Sequence, residues 1–302
     1  MAENLSTLSG TFIPSKWAKK MAATYHTALV MNYIANTDYE GDIRDSGDVV
    51  KVRIVPDINV GNYTPGTDMA IQTLAGNSVD LKIDKAKYFA FNADDVETKQ
   101  ADVDYVGKSM EEGAINIKKE VEKSFFGGIY TGTAAKNTGA TAGVMSGIYD
   151  LGTSDAPVAI TKTNVLDYIF NCASILDEQD VPDADRWMVI PPAMSNIIKK
   201  SDIKDAYVTG DAKSVIRTGN IGMIDRFNVF VSNVLPTADR KFIPIFGHKS
   251  AVSFASQLVK TEMVTREKQF GKVCRGLSVF GFGVIKPEGL GCGAVTVSGA
   301  LA

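Results

Sequence analysis

One apolar stripe constrains the fold of this chain more than any other feature. Residues 94–130 read DDVETKQADVDYVGKSMEEGAINIKKEVEKSFFGGIY. Val103, Val106, Met110, Ala114, Ile117, Val121 and Phe125 recur at spacings of three and four, the period that collects side chains on one face of an α-helix. Asp94 or Asp95 is suited to cap its start, and Gly127 and Gly128 to end it. A helix from about Val96 to Phe126 is on the order of 45 Å long at 1.5 Å per residue. A compact domain has no need of such a rod, whereas an extended, flat subunit does.

The segment before the rod is equally elongated. Val50, Val52 and Ile54 alternate with Lys51 and Arg53, and Val79, Leu81 and Ile83 alternate with Asp80, Lys82 and Asp84, so both runs have the period of a half-buried strand. NYTPGTDMAIQTLAGN lies between them, and the pair predicts a long β-hairpin with an elaborate tip. A two-stranded ribbon is marginal in water, so this one must lie on its own domain or on another molecule. Tyr63, Met69, Ile71 and Leu74 in the tip are poor choices for a loop that stays in solvent. Upstream, Trp17, Met21, Leu29 and Tyr33 mark a helix from Pro14 to about Asn36, after an extended lead-in.

Beyond the glycine- and threonine-rich TGTAAKNTGATAG the pattern becomes an α/β alternation. It comprises a helix over about 162–178 (Val165, Ile169, Cys172, Leu176), the strand RWMVIPP, the short helix AMSNIIKKS, and strands at FNVFVSN, KFIPIFGH and AVSFAS. This makes an α+β chain in four parts. They are an N-terminal arm and helix over residues 1–47, the hairpin over 48–93, the rod with a strand-rich C-terminal return over 94–138 and 258–302, and an α/β domain over 139–257.

No catalytic or cofactor pattern survives inspection. Gly107-Lys108-Ser109 resembles the end of a phosphate-binding loop, but Asp102 stands where its first glycine belongs, and the triplet lies within the stripe. Gly219 and Gly222 precede a strand, whereas a dinucleotide fingerprint follows one, so they read as turn-formers. His26 and His248 lack metal spacing and any GxSxG partner, and Asp183 and Asp185 fall in a turn. Cys172, Cys274 and Cys292 are odd in number and far apart, which argues against a disulfide framework or a zinc site. A net charge of −3 over 302 residues argues against a basic nucleic-acid binder, and no run of apolar residues reaches membrane-span length. A sound fold without a site, made in the cytoplasm and needing no cofactor or metal, points to a building block.

The order of elements resembles the major capsid protein of tailed bacteriophages, the Hong Kong 97-type fold. In that resemblance the hairpin is the extended loop, the rod is the spine helix of the peripheral domain, and the α/β part is the axial domain. IPSKWAKKMAATYHTALVMNYIANTDYEGDIRDSGDVVKVR looks like the arm leading into the extended loop, and RWMVIPPAMSNII like the axial strand and helix. TGNIGMIDRFNVFVSNVLP resembles the family's habitual G-x-I-G-x-I…F-x-V-x-x-S-N-x-L-P passage, and GHKSAVSFASQ with REKQFGKVCRGLSVFGFGVIKPEGL its closing sequence.

The resemblance implies a subunit that forms pentamers and hexamers of an icosahedral shell around double-stranded DNA, without sequence-specific binding. It implies assembly in the host cytoplasm and a place in the virion. Tyr63, Pro65, Met69, Ile71 and Leu74 of the loop and Phe12 and Ile13 of the arm then touch neighbouring subunits, while Val103, Val106, Met110, Ile117, Val121 and Phe125 form the core of the spine. No lysine lies between Arg53 and Lys82, which argues against the lysine cross-links that weld some shells of the family. About 48 residues precede the hairpin, so a separate scaffolding protein is expected, alongside a portal and decoration proteins. An encapsulin-like compartment and a homo-oligomeric α/β enzyme are the competing readings.

Overall fold

The computed structural model describes residues 29–38, 49–100, 104–201 and 222–297, apart from positions 57, 64, 67, 70, 74, 75, 239, 268 and 269. The rod is the longest helix among them. Labelled α3 here, it spans Tyr105–Ile129, about 37 Å at 1.5 Å per residue. Asp104 starts it: its side chain accepts a hydrogen bond from the Gly107 amide at 3.0 Å. A shorter helix, α2 (Asp95–Gln100), precedes it, and residues 101–103 between them lie outside the described residues. The rod expected to start at Val96 thus has its own cap eight residues later.

Its end also differs from the expectation, because the helix continues through Gly127 and Gly128 to Ile129. Packing gives the reason for Gly128. A Cβ there would penetrate the ring of Phe282, whereas Gly127 has open space around it. Gly128 therefore marks a close approach, not a stop.

The sheet that Gly128 approaches has three antiparallel strands, β3 (Lys85–Ala93), β11 (Val252–Thr265) and β12 (Lys272–Val284), in the order β11-β12-β3. Phe89 of β3 pairs with Gly276 of β12, and its ring fills the space that both Gly276 and Gly113 of α3 leave empty. One aromatic ring thus keys helix to sheet.

The second arm of the hairpin expected over 48–93 is two strands. The hairpin consists of β1 (Val49–Ile54) and β2 (Asn77–Lys82), in register Val50↔Leu81 and Val52↔Val79, and the chain then turns at Ile83 and Asp84 into β3, which pairs with β12.

A five-stranded sheet, order β13-β10-β5-β7-β6, holds the α/β part: β5 (Arg186–Ile190), β6 (Met223–Ile224), β7 (Phe227–Val231), β10 (Ile245–His248) and β13 (Leu290–Cys292). Every residue of β5 is buried, as expected for a strand covered on both faces. One face packs on α4 (Val165–Asp177) and α5 (Pro192–Lys200) through Ile169, Met194, Phe227 and Phe246. The other receives Phe125, Phe126 and Ile129 of α3 against Trp187, Val189 and Ile245. A four-stranded sheet of β4 (Val158–Ile160), β14 (Val295–Val297), β9 (Lys241–Phe242) and β8 (Thr237–Ala238) completes the strands.

The strand pairing departs from the division drawn on the sequence at two places. AVSFAS is the start of β11 and belongs to the three-stranded sheet, because β12 pairs with it from Val252 onward. Residues 290–297 return to the α/β part, where β13 pairs with β10 and β14 with β4 and β9. The helix expected over 14–36 also differs. Of that span only residues 29–36 are described, and among them α1 (Met31–Ile34) alone is helical, with Val30 at its start; Phe12, Ile13 and the rest of 1–28 lie outside the described residues.

Candidate assembly surface

The hairpin root is held by packing. Val50 and Leu81 meet Ile83, Ala255 and Val279 in a small apolar cluster over β11 and β12. Gly281 makes this possible, since a Cβ there would strike the Lys82 carbonyl and the Ile83 backbone. Beyond the root nothing among the described residues covers the ribbon. Across residues 55–76, Val55, Ile58, Val60, Tyr63, Met69 and Ile71 are all exposed, Val60 at 97% and Ile71 at 94%. Pro65 is exposed beside them, and Leu74 lies outside the described residues. A hydrogen bond from the Asn59 amide to Gln72 Oε1, at 3.0 Å, crosses the loop. Monomeric proteins rarely leave so much large apolar surface together in solvent. Val55, Ile58 and Val60 were missed on the sequence because the run RIVPDINV reads as the end of a buried strand.

The stripe residues divide by position. Val121 and Phe125 are buried, Val106, Met110 and Ile117 are half-buried, Ala114 is exposed, and Val103 lies outside the described residues. Only the C-terminal half of α3 is enclosed between the two main sheets. At that junction stands Glu122, 1% exposed. Its Oε2 accepts from the Val30 amide at 3.0 Å and the Met31 amide at 3.3 Å, and Oε1 from the Ser232 hydroxyl at 3.4 Å. Burial pushes its carboxyl above the usual glutamate range, against these hydrogen bonds. One carboxylate therefore ties the N-terminal chain, the rod and the end of β7 together.

The other ionic cluster is structural too. The Arg186 side chain is fully buried; Nε and Nη2 donate to the Pro182 and Val181 carbonyls, and Nη1 lies 2.7 Å from Asp177 Oδ1 without the alignment of a hydrogen bond. Arg226 bridges Asp183 at 2.6 Å and Asp177 at 2.8 Å. Burial pushes the Asp177 carboxyl up, but the hydrogen bond from Arg226 and the adjacent positive charge of Arg186 outweigh that and hold it below the usual range. This clamp pins the tight β6–β7 turn, whose residues Asp225 and Arg226 have φ of 42° and 67°. Gly222, at φ 70°, sits just before β6, and Gly219 lies outside the described residues. His248 is committed as well: Nδ1 accepts from the Ser250 amide at 3.1 Å, and burial lowers its pKa.

Among the described residues no group of three or more histidine, cysteine or acidic side chains is placed to hold a metal, and no helix is long and apolar enough to cross a membrane. All three cysteines are buried and free. What the molecule presents is an uncovered apolar loop on a braced, elongated frame.

A family model described as phage capsid protein matches residues 76–291. The chain belongs to this family. It is a structural major capsid protein of a phage, a component of the virion that self-assembles into a shell, and its role is not enzymatic. Solved structures share the fold over nearly the whole length. The structure of Mycobacterium phage Che8 matches with a TM-score of 0.78 at 22% identity, over 94% of this chain and 98% of that one. The capsid of cyanophage P-SCSP1u matches at 0.73 and 15% identity over 97% of both chains. The capsid of a native GTA particle matches at 0.70 and 11% identity, over 95% of this capsid protein and 97% of that chain. A search of curated proteins finds no significant match. The fold is thus of the Hong Kong 97 type, as the order of elements implied.

Proposed function

We propose that copies of this chain associate as pentamers and hexamers that close into an icosahedral shell around double-stranded DNA, and that residues 55–76 are the strap each copy lays across its neighbour. The observation that carries the reading is the row of large apolar side chains on that loop, with Val60 and Ile71 almost wholly in solvent. Burying each such side chain contributes roughly 1.5–3 kcal/mol. Association costs take back much of this, so one strap is a weak contact, and closed symmetry multiplies it. Tyr63, Pro65, Met69 and Ile71 are contact residues in this reading, and Leu74, Phe12 and Ile13 have the same role.

The three-stranded sheet with α3 forms the peripheral part, and the five-stranded sheet with its helices the axial part. A chain of net charge −3 suits a wall that must not grip the phosphates of its contents. Assembly takes place in the host cytoplasm on a separate scaffolding protein, and a portal and decoration proteins complete the shell.

Electron microscopy of the purified protein tests this reading, with closed particles as the expected result. The chain lacking residues 63–74 is expected to stay soluble, unfold at the parent temperature and form no closed particles. Normal particles from that deletion would remove the strap from the assembly mechanism.

A further inference from the structure

β11 forms one edge of the three-stranded sheet, and among the described residues only the start of that edge is matched. Asn36 lies beside Ser253 there; its amide donates to the Val252 carbonyl and its carbonyl accepts from the Phe254 amide. A bulge follows between Ser256 and Leu258. Beyond the bulge β11 runs on to Thr265, and among the described residues β12 is the one strand paired with it. An open edge offers a row of backbone donors and acceptors to any extended chain that meets it. Met263 and Val264 are exposed along this stretch and add apolar surface to it.

The charges of the stretch identify the chain that fits. Lys260 and Glu262 are two positions apart in the strand and so share one face, with Thr261 between them on the other. Within one copy Glu262 holds Lys260 at 2.7 Å and also binds Arg275 of β12. When a second β11 is laid antiparallel along the edge with Thr261 opposite Thr261, Lys260 of each copy comes opposite Glu262 of the other. Centring the pair on Lys260 or on Glu262 instead sets like charges face to face, which is unfavourable. The other edge strand, β3, carries Lys85 and Lys87 and no acidic residue, so no register of β3 against itself pairs opposite charges. We propose that two copies join by antiparallel pairing of their β11 edges across a two-fold axis at Thr261, which makes their three-stranded sheets continuous. Such a contact is isologous, and the symmetry forms each charge pair twice. The inference rests on the association of copies and not on the docking of residues 55–76.

The test is one substitution, Thr261→Cys, in the full chain with oxidised glutathione as the oxidant. Residues directly opposite in an antiparallel pair have Cα atoms about 4.5–5.5 Å apart, within the span of a disulfide. A covalent dimer on a non-reducing gel is the expected result. Val264→Cys is expected to give none, because in this register its counterpart lies six positions further along, about 20 Å away. The parent chain, with its three buried cysteines, sets the background. No dimer from Thr261→Cys, or as much from Val264→Cys, overturns the proposal. Adding Lys260→Glu to Thr261→Cys sets two acids opposite each other, and dimer formation is expected to slow about tenfold at low salt and less at high salt. An unchanged rate overturns the register. Electron microscopy of the same samples separates this contact from closure of the shell. Particles without the bridge overturn the edge contact and leave the shell standing, whereas a bridge without particles supports the edge contact and counts against the closed shell.

Discussion

Gly127 and Gly128 are neighbours on one helix, and the same substitution at the two is expected to act in opposite directions. At Gly127 an added methyl meets nothing within 4 Å, so Gly127→Ala removes a flexible residue from a helix and stabilises by about 0.5–1 kcal/mol. At Gly128 the methyl enters the Phe282 ring, itself held edge-on to Phe125 at 5.5 Å, and overpacking costs about 1–3 kcal/mol, more than the helix gains. Guanidinium midpoints of the unassembled subunit should therefore rise for the first variant and fall for the second; two rises would mean the ring yields freely. Glu122 makes a second prediction at this scale. Its folded-state pKa is raised, so its contribution to stability is full below the unfolded value and declines as pH rises through the folded one. Glu122→Gln keeps an oxygen for the Val30 amide and carries no charge to desolvate. Its unfolding temperature should gain on the parent's as pH rises above about 4.3, where an ordinary glutamate ionises. A difference that does not change with pH would show that the carboxylate is not strained by burial.

At the scale of the element, the periodic stripe made α3 legible, because three-and-four spacing over so many turns has no other structural meaning. Its boundaries were not. A second cap at Asp104 and the run through Gly127 and Gly128 depend on a local hydrogen bond and on the position of Phe282, neither of which periodicity encodes. For the same reason AVSFAS was separated from the strand it begins, since only pairing with β12 shows that β11 continues from Val252 to Thr265. The stripe also overstated burial, and this difference is measurable. Val121→Asp puts a charge into a buried site and is expected to cost at least about 3 kcal/mol. Met110→Asp, at a half-buried site, should cost less than half of that in the unassembled subunit. Equal losses would place the N-terminal half of α3 in a core as closed as the C-terminal half.

For the whole molecule, the decisive property is surface that a single copy leaves uncovered. The sequence revealed part of it, since Tyr63, Met69 and Ile71 fall between two alternating strands where a loop should be polar, while Val55, Ile58 and Val60 were hidden in a run that reads as strand. What the alternation cannot encode is that pairing stops at Ile54 and leaves the next valine and isoleucine bare. This separation of fold from contact surface sets the last prediction. Ile71 is 94% exposed, so Ile71→Ser should leave the unfolding temperature of the subunit unchanged. If the side chain is buried against a neighbour in the shell, its loss weakens each contact by roughly 1.5 kcal/mol, which is about tenfold in the equilibrium constant of that contact. The threshold concentration for particle formation, followed by light scattering, should accordingly rise by about tenfold or more, because every copy in a closed shell carries the same defect. A parent-like threshold with parent-like stability would mean that Ile71 stays in solvent after assembly and that the strap engages through other residues.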